Sequence, residues 1–346
     1  MNWALIGYGG MGSWHVSKLR TMKGIRIMGI YDILPERRKA AEKDGLYAYP
    51  TLEALLDDPK VEIVTIATPN DFHRPLAIAA MRAGKHVISE KPVTPSSDEL
   101  QLMLDVARET GRVLTVHQNR RWDEDFVTAK KIIDDGTLGP VFHIESRVHG
   151  SRGLPGDWRH LKTKGGGIVL DWGVHLLDQI LQIKKCPVVS VYSRFFYITC
   201  DEVEDGFTSL LTFGDGTTAL VEVETSNFVE LPRWYILGEN GTAVIRDWHL
   251  NGEIVMVSDW EKRDAVPVET AAGLTKTMAP RTDETIRRYP LPKVKSDWGE
   301  FYKNVRNVLL GKEELIVKPE EFKRVMRLME AIFASANENR TVHSII

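Results

Sequence analysis

WALIGYGGMG, residues 3–12, places a short apolar run directly before a cluster of glycines. Gly7, Gly9 and Gly12 match the G-x-G-x-x-G pattern. Its first glycine permits a tight turn, its second lets the backbone approach a pyrophosphate, and its third lets helix and strand pack closely. The anion would lie at the N-terminus of the following helix. The stretch therefore predicts a dinucleotide-binding turn, with contacts to the cofactor from Gly7, Tyr8, Gly9, Gly10, Met11 and Gly12.

An acidic residue follows the glycines at the expected distance. Asp32 ends the next apolar run, about 20 residues beyond the motif, where a carboxylate can bind both ribose hydroxyls. It favours NAD over NADP, because a 2′-phosphate would meet a like charge. Arg37 and Arg38 begin the next helix and could reach a phosphate, so NADP stays open.

The first third of the chain alternates apolar strands with helix-length segments. This alternation predicts a parallel sheet covered by helices on both faces, a doubly wound α/β fold. Ser96 and Glu99 have the spacing of a helix-capping box, and Gly111 is expected to end that helix. The candidate strands are Trp3–Ile6, Ile25–Tyr31, Val61–Ala67, His86–Ser89 and Val113–Val116.

Two polar segments follow strands at the edge of the sheet where such folds bind ligands. One is ATPNDFH after the third of these strands, and the other is SEKPVTP after the fourth. We expect contacts to the cofactor from Thr68, Pro69, Asn70, His73, Glu90, Lys91 and Pro92.

The composition bounds the class of protein. A chain of 346 residues suggests two domains, which we place at 1–119 and 120–346. A net charge of −3 leaves no basic surface for nucleic acid, and neither a signal peptide nor a membrane span is expected. Two cysteines without C-x-x-C spacing fit a reducing compartment, so the cytoplasm is the expected location.

The second part of the chain becomes strand-rich from Val188. FGDGTT predicts a hairpin turn at Asp215 and Gly216, and GENGTAVI predicts another at Asn240 and Gly241. The polar stretch 261–295 is expected to form loops. A mostly antiparallel open sheet should therefore follow the parallel one, and its exposed face favours a homodimer or homotetramer.

With these motifs the sequence resembles the Gfo/Idh/MocA family of oxidoreductases, which includes glucose-fructose oxidoreductase and inositol dehydrogenase. The resemblance rests on GYGGMG, ATPN, EKP, HQNRRW (117–122), GGGIVLDWGVHLLD (165–178) and the pattern from Trp298 to the C-terminus. It implies a Rossmann domain followed by a larger open sheet with helices, and hydride transfer with a sugar, glycoside or polyol.

Alcohol oxidation needs a base for the hydroxyl proton. Asp171 and His175 lie four residues apart on one predicted helix face, with Asp178 three further along. The resemblance implies that Lys91, Asp171 and His175 are catalytic. His175 is our preferred acid/base, with Lys91 bonded to the reacting oxygen and Asp171 orienting; Lys91 as the base stays open.

Further residues near these motifs can contact ligands. Tryptophan faces and arginine donors suit a polyhydroxylated ring. The candidates for the substrate, beside the catalytic three, are Arg120, Trp122, His149, Trp158, Trp172 and Tyr235, and Asn119, Trp158 and Arg159 are further candidates for the cofactor.

Alternatives remain at the level of function. Asp171 and His175 with His149 could hold a metal, but nicotinamide chemistry needs none and we expect none. The same residues would also serve a glycoside-cleaving enzyme that retains NAD. A non-catalytic NAD-binding regulator is disfavoured by the presence of Lys91 and His175.

Overall fold

The computed structural model describes residues 1–262 and 266–346. The first third forms an all-parallel five-stranded sheet in the order β2-β1-β3-β4-β5. Its strands are β1 (Asn2–Ile6), β2 (Arg26–Tyr31), β3 (Ile63–Ile66), β4 (His86–Ser89) and β5 (Leu114–Val116). All five predicted strands are confirmed.

The helices between these strands complete a doubly wound fold. A parallel bridge between Ile30 and Ala48 extends the sheet beyond β2, so a sixth strand is reduced to one bridge. The order in which strands are added reverses between β1 and β3. In such folds this switch point creates the crevice where ligands bind. The helices are α1 (Gly10–Leu19), α2 (Pro35–Lys43), α3 (Leu52–Leu56), α4 (His73–Arg82) and α5 (Ser97–Thr110).

Helix α5 begins and ends as its sequence predicts. The Ser96 hydroxyl accepts a hydrogen bond from the Glu99 amide, which satisfies one of the free donors of the first turn. Gly111 follows in the left-handed conformation, with a φ of 63°. Glycine adopts this conformation without steric cost, so it ends the helix here.

The second part builds a nine-stranded sheet, and among the described residues only β6 and β9 pair in parallel in it. Its order is β15-β12-β11-β10-β6-β9-β8-β7-β16, with β13 and β14 forming a separate hairpin. The strands are β6 (Val141–His149), β7 (Val188–Phe196), β8 (Gly206–Phe213), β9 (Thr218–Glu224), β10 (Trp234–Gly238), β11 (Gly241–Ile245), β12 (Gly252–Val257), β13 (Val268–Thr270), β14 (Gly273–Thr275), β15 (Ile286–Pro290) and β16 (Val342–His343). The predicted fold class is confirmed.

Helices α6 (Glu124–Asp134), α7 (Val174–Ile183), α8 (Gly299–Leu309) and α9 (Pro319–Glu338) complete the second part. Helix α9 packs against β7 and α7, whereas α8 returns to the first sheet, with the ring of Tyr302 6.1 Å from that of Trp3. The predicted boundary at residue 119 falls in a 3₁₀ turn, Asn119–Trp122, between the two sheets. None of the helices in the described residues is long and apolar enough to cross a membrane.

Two local predictions in this part need correction. The turn at Asp215 and Gly216 forms, but the next hairpin turns at Glu239 and Asn240, since Gly241 already pairs with Gly238 in the sheet. A Cβ at Gly241 would lie 2.6 Å from the Val255 carbonyl oxygen, so glycine is needed there for close packing.

The polar stretch 261–295 is also more ordered than predicted. It contains β13, β14 and β15, although residues 263–265 lie outside the described residues. Strand β15 pairs only with β12 at the sheet edge and is largely exposed, so it lacks the apolar alternation that identifies strands in a sequence.

Candidate active site

The glycine-rich loop has the shape that a bound pyrophosphate requires. A Cβ at Gly7 would lie 2.4 Å from the Ala67 carbonyl oxygen, and a Cβ at Gly12 would lie 2.2 Å from that of Gly7. In contrast, a Cβ at Gly9 or Gly10 would meet open space. Helix α1 begins here without a side-chain cap, so its first amides are available to an anion. The loop therefore fits the phosphates of a dinucleotide.

Asp32 lies at the end of β2 with its carboxylate fixed. One oxygen accepts from the Tyr8 amide at 2.7 Å, and the other accepts from the Leu34 amide at 2.9 Å. Arg38 donates through Nη1 to the backbone carbonyls of Asp32 and Ile33. The end of β2 therefore carries a fixed carboxylate beside the glycine-rich loop.

Tyr8, a predicted cofactor contact, turns its side chain away from the loop. Its hydroxyl donates to Asp44 at 2.6 Å. Burial, together with the Asp44 carboxylate, raises the pKa of Tyr8 to about 12. The Tyr8 side chain therefore anchors the loop to the end of α2, while its amide is bonded to Asp32.

The segment after β3 is tied to two other parts of the chain. Asn70 is buried, and its amide donates to the Gly165 carbonyl at 2.8 Å. The buried ring of His73 lies 2.9 Å from the carbonyl oxygens of both Pro92 and Thr68. Burial lowers the pKa of His73, so the neutral ring donates to one carbonyl at a time. The ring of His73 thus joins the ATPN and EKP segments. Pro69 directly precedes the 3₁₀ turn Asn70–Phe72.

Glu90 also faces the interior. Its Oε1 lies 2.8 Å from His15 Nε2 on α1 and 2.8 Å from His117 Nδ1 after β5. All three side chains are buried, and Tyr302 from α8 lies 2.8 Å from His15 Nδ1. We call these four residues the Glu90 cluster. The sequence did not predict that His15, His117 and Tyr302 would lie beside Glu90, because no local spacing connects residues so far apart in the chain.

Three atoms of this cluster, on His15, Glu90 and His117, are close enough together to suggest a metal site. Two ligands bonded to zinc at about 2.0–2.1 Å in tetrahedral geometry would lie about 3.3 Å apart. The 2.8 Å separations are instead those of N–H···O hydrogen bonds. The geometry therefore favours two imidazoles donating to one carboxylate.

Lys91 reaches out of the same segment toward the second part of the chain. Its Nζ donates to the Asp171 carbonyl at 2.8 Å and to Asp171 Oδ1 at 3.0 Å. Arg159 donates to the other carboxylate oxygen at 3.1 Å. Burial would raise the pKa of Asp171, but Lys91 and Arg159 outweigh it and hold that pKa below its ordinary value. The structure therefore brings the predicted Lys91 and Asp171 into direct contact.

His175 lies one turn beyond Asp171, but the connecting turn is widened. Residues Val169–Gly173 form a π-helical turn before α7 begins at Val174. Such insertions are frequently found at functional sites. His175 is 5% exposed, and its Nδ1 has no hydrogen-bond partner.

The environment of His175 keeps its ring neutral. Burial lowers its pKa well below the ordinary value, and the charges of Lys91 and Arg120 lower it further, whereas Glu90 acts in the opposite direction. The ring therefore stays neutral, with its Nδ1 buried and without a hydrogen-bond partner.

Asp178 does not join this group. Its carboxylate accepts two hydrogen bonds from Arg121, at 2.6 and 2.8 Å, and both side chains are buried. Arg121 also donates to Glu321 of α9 at 2.7 Å. The third acidic position of the predicted helix face therefore serves to pack α7 against α9.

Arg120 lies in an aromatic stack with Trp172 and Trp248. Its guanidinium is 4.1 Å from the ring centre of Trp172 and 5.4 Å from that of Trp248. Trp172 in turn lies 6.0 Å from the ring of His175. Trp248 comes from the connection between β11 and β12, and nothing in its local sequence signals this position. Arg120 and Trp172 are thus brought to the group around His175.

The other candidate residues lie at different distances from this group. Trp158 stacks on Arg159, with 4.8 Å between the guanidinium and the ring centre, so it borders the site. Trp122 lies apart and packs against Phe301. Asn119 begins the 3₁₀ turn that carries Arg120.

His149 and Tyr235 project from the opposite face of the large sheet. Trp234, next to Tyr235, is buried on the helix-covered face, so Tyr235 points to the other side. His149 bonds to Glu222 of β9 at 2.7 Å. The structure does not bring either residue to His175, because the alternation of side chains along a strand separates the two faces.

Comparison with known proteins covers most of the chain. The family model described as "Oxidoreductase family, NAD-binding Rossmann fold" matches residues 1–118, and the model described as "GFO/IDH/MocA C-terminal domain" matches residues 126–244. The chain is similar to a solved NAD-binding protein from Listeria innocua, with 49% identity, a TM-score of 0.95 and 99% of both chains covered.

Two curated relatives are similar over most of their length. The oxidoreductase YdgJ of Escherichia coli (strain K12) is 32% identical over 83% of this chain and 82% of that protein. The scyllo-inositol 2-dehydrogenase (NADP(+)) IolW of Bacillus subtilis (strain 168) is 27% identical over 98% of this chain and 94% of that protein.

Proposed function

Because the chain belongs to the Gfo/Idh/MocA oxidoreductase family, we propose that it transfers a hydride between NAD and a secondary hydroxyl of a sugar, glycoside or polyol. The observation that carries the proposal is the convergence of Lys91, Asp171 and His175 from two separate segments. Alcohol oxidation needs a base and a hydrogen-bond donor at one oxygen, and this group offers both.

In the proposed mechanism, His175 accepts the proton of the reacting hydroxyl. Lys91 donates a hydrogen bond to the same oxygen, which stabilises the negative charge that develops as the proton leaves. Asp171 holds the Lys91 ammonium in place through its carboxylate and carbonyl oxygens. The nicotinamide ring supplies the hydride acceptor when it is bound. In the reverse direction His175 returns the proton.

The choice of NAD rests on Asp32. Its fixed carboxylate would repel a 2′-phosphate, and Arg38 Nη1 is directed to backbone carbonyls. The relative IolW is named for NADP(+), so both cofactors belong in the test. We expect NAD to bind more tightly.

The substrate class rests on the relatives' names and on the walls of the site. A D-glucoside 3-dehydrogenase of Escherichia coli (strain K12) and IolW act on cyclic polyhydroxylated compounds by their names. The Trp172 face and the Arg120 donors beside His175 suit such a ring.

Homo-oligomer formation through the large sheet is part of the proposal. Its outer face carries the exposed side chains of Tyr192 and Leu210, which are paired across β7 and β8. Charged groups such as Glu145, Arg147 and Glu222 adjoin them. A mixed surface of this kind suits a second copy of the chain, and sedimentation velocity would detect a dimer or tetramer.

The experiment that tests the function measures absorbance of reduced nicotinamide. Purified protein receives NAD or NADP with a panel of sugars, glycosides and inositols. We expect turnover with NAD, a loss of at least about a thousandfold in Lys91→Ala and His175→Ala, and little change in Lys164→Ala. Lys164 is a suitable control because it pairs with Asp71 near the site without touching Asp171.

The same screen separates the rival functions. Cleavage of a glycoside without net reduced cofactor would support an enzyme that retains NAD. Tight NAD binding without change in any panel member would support a regulator. Turnover unaffected by both alanine substitutions would contradict the proposed roles of Lys91 and His175.

A further inference from the structure

The Glu90 cluster lies under a particular half of the cofactor site. In a doubly wound fold each half of the sheet holds one mononucleotide. The glycine-rich loop and Asp32 belong to β1 and β2, at the half that binds the adenosine. Glu90 directly follows β4 and His117 directly follows β5, so these two residues belong to the half expected to take the nicotinamide.

The charges around the cleft balance without Glu90. Lys91 and Arg159 share Asp171, and Arg159 also contacts Asp157 at 2.7 Å. Arg120 contacts Asp123 at 2.8 Å. These pairs are formed by three cations, Lys91, Arg120 and Arg159, and three carboxylates, Asp123, Asp157 and Asp171.

Glu90 is therefore an additional negative charge, and its partners are imidazoles. Burial would raise the pKa of Glu90, but the hydrogen bonds and charges of His117 and His15 outweigh it and hold that pKa well below its ordinary value. Burial lowers the pKa of His15, and the nearby His117 lowers it further, which favours a neutral ring. The Glu90 carboxylate therefore stays ionised, with His15 as a neutral donor.

We propose that the Glu90 carboxylate is a fixed counter-charge for the oxidised nicotinamide ring and makes the site favour NAD⁺ over NADH. This inference rests on the proposed function. The oxidised ring carries a positive charge and the reduced ring carries none. Because Glu90 is buried and held by three hydrogen bonds, two from imidazoles and one from the Lys91 amide, its charge is little screened by solvent. Glu90 is thus a positioning residue for charge and need not contact the ring.

The cluster also has a mechanical link to the cofactor. His15 lies on α1, three residues after Gly12, so the same carboxylate oxygen joins the phosphate-binding helix to the segment that carries Lys91. A purely mechanical role would affect NAD⁺ and NADH alike, because both have the same phosphates. An electrostatic role would affect NAD⁺ more than NADH, because only the oxidised ring is charged. Comparing the two cofactors therefore distinguishes the two roles.

The test compares dissociation constants for NAD⁺ and NADH, measured by calorimetry, without any substrate. In Glu90→Gln, binding of NAD⁺ should weaken on the order of tenfold, as expected for one unit charge in a partly dry site. Binding of NADH should change less than about twofold. Glu90→Met removes the same charge and serves if the glutamine variant does not fold, as judged by circular dichroism.

Tyr302→Phe is the matched control. It removes the hydroxyl that lies 2.8 Å from His15 Nδ1 but removes no charge from the same buried cluster. Both affinities should stay within about twofold of the wild type. The wild type supplies a second measurement that needs no variant, since NAD⁺ should bind at least as tightly as NADH.

Several results would overturn the inference. Equal weakening of both cofactors would assign Glu90 a mechanical role, and unchanged affinities would mean that a protonated histidine cancels its charge. A wild type that binds NADH tenfold more tightly, or that contains stoichiometric zinc by elemental analysis, would also overturn it. Discrimination without turnover would retain the inference and reject the proposed enzyme, whereas a wild type that binds neither cofactor would reject both.

Discussion

The two halves of the site are built in different ways. The part that fits the adenosine and phosphates, from Gly7 to Asp32, is a single βαβ unit in which the Tyr8 amide bonds to Asp32. The part around His175 takes Lys91, Arg120 and Trp248 from three distant segments. The first half therefore depends mainly on the backbone shape of one βαβ unit and its close contact with the Ala67 carbonyl, and the second depends on long-range side-chain pairs.

The largest expected effect concerns the long-range half. Asp178→Asn leaves the buried Arg121 with Glu321 as its only carboxylate partner among the described contacts. Losing one partner of a buried ion pair should cost about 3–5 kcal/mol of unfolding free energy, measured by urea denaturation.

A matched control distinguishes burial from charge. Asp135→Asn removes an exposed pair with Lys131 and should cost less than about 0.5 kcal/mol. If Asp178→Asn were as mild as this control, the long-range half would not depend on its buried pair, and the contrast between the halves would fail.

The next effect concerns the local half and is expected to separate two glycines. Gly12→Ala places a Cβ 2.2 Å from the Gly7 carbonyl oxygen and should cost about 1–3 kcal/mol of stability. Gly9→Ala meets open space and has a φ of −82°, so the fold should tolerate it. Its methyl group would instead occupy the space of the phosphates and weaken NAD binding.

Melting temperature and calorimetry provide the two measurements. Gly12→Ala should lower the melting temperature, and Gly9→Ala should lower only the affinity for NAD. Equal melting temperatures in both variants would mean that the loop adapts to a side chain at position 12. This result would contradict the prediction that its backbone is rigid.

The smallest effect per group is a pH dependence shared by both halves. The folded pKa values of His15, His73 and His175 are lowered chiefly by burial. The unfolded chain binds more protons below its histidine pKa of about 6.5, so stability is retained above this pH and lost as the pH falls.

Each of the three should remove up to about 1.4 kcal/mol per pH unit below 6.5. Urea denaturation between pH 5 and 7, in wild type and in His73→Gln, would measure this slope. A slope that is unchanged in the variant would show that His73 is not held neutral in the fold.

Much of the first sheet could be predicted from the sequence. The five strands, the cap of α5 and the glycine-rich turn depend on neighbouring residues, and all of them formed. Two predictions were wrong: the hairpin turn was expected at Asn240 and Gly241 but lies at Glu239 and Asn240, and strand β15 was expected to be a loop. In both places the backbone pairing, and not the local composition, decides the structure.

The sequence also brought Lys91, Asp171 and His175 into one hypothesis, and the structure gathers them. The sequence could not separate Asp178 from Asp171 and His175. In the structure Asp178 instead bonds to Arg121. Likewise the sequence grouped Tyr235 and His149 with the site, because the face that a strand presents to a helix layer is not encoded in the strand alone.

The sequence by itself therefore determined the dinucleotide fold, since glycine spacing, strand hydrophobicity and helix caps act over a few residues. The tertiary structure alone decided what surrounds the chemistry. The π-helical turn before His175, the Trp248 stack and the burial of Glu90 between His15 and His117 depend on contacts between distant segments. Burial and long-range charge fix the behaviour of these groups, and neither is readable until the chain has folded.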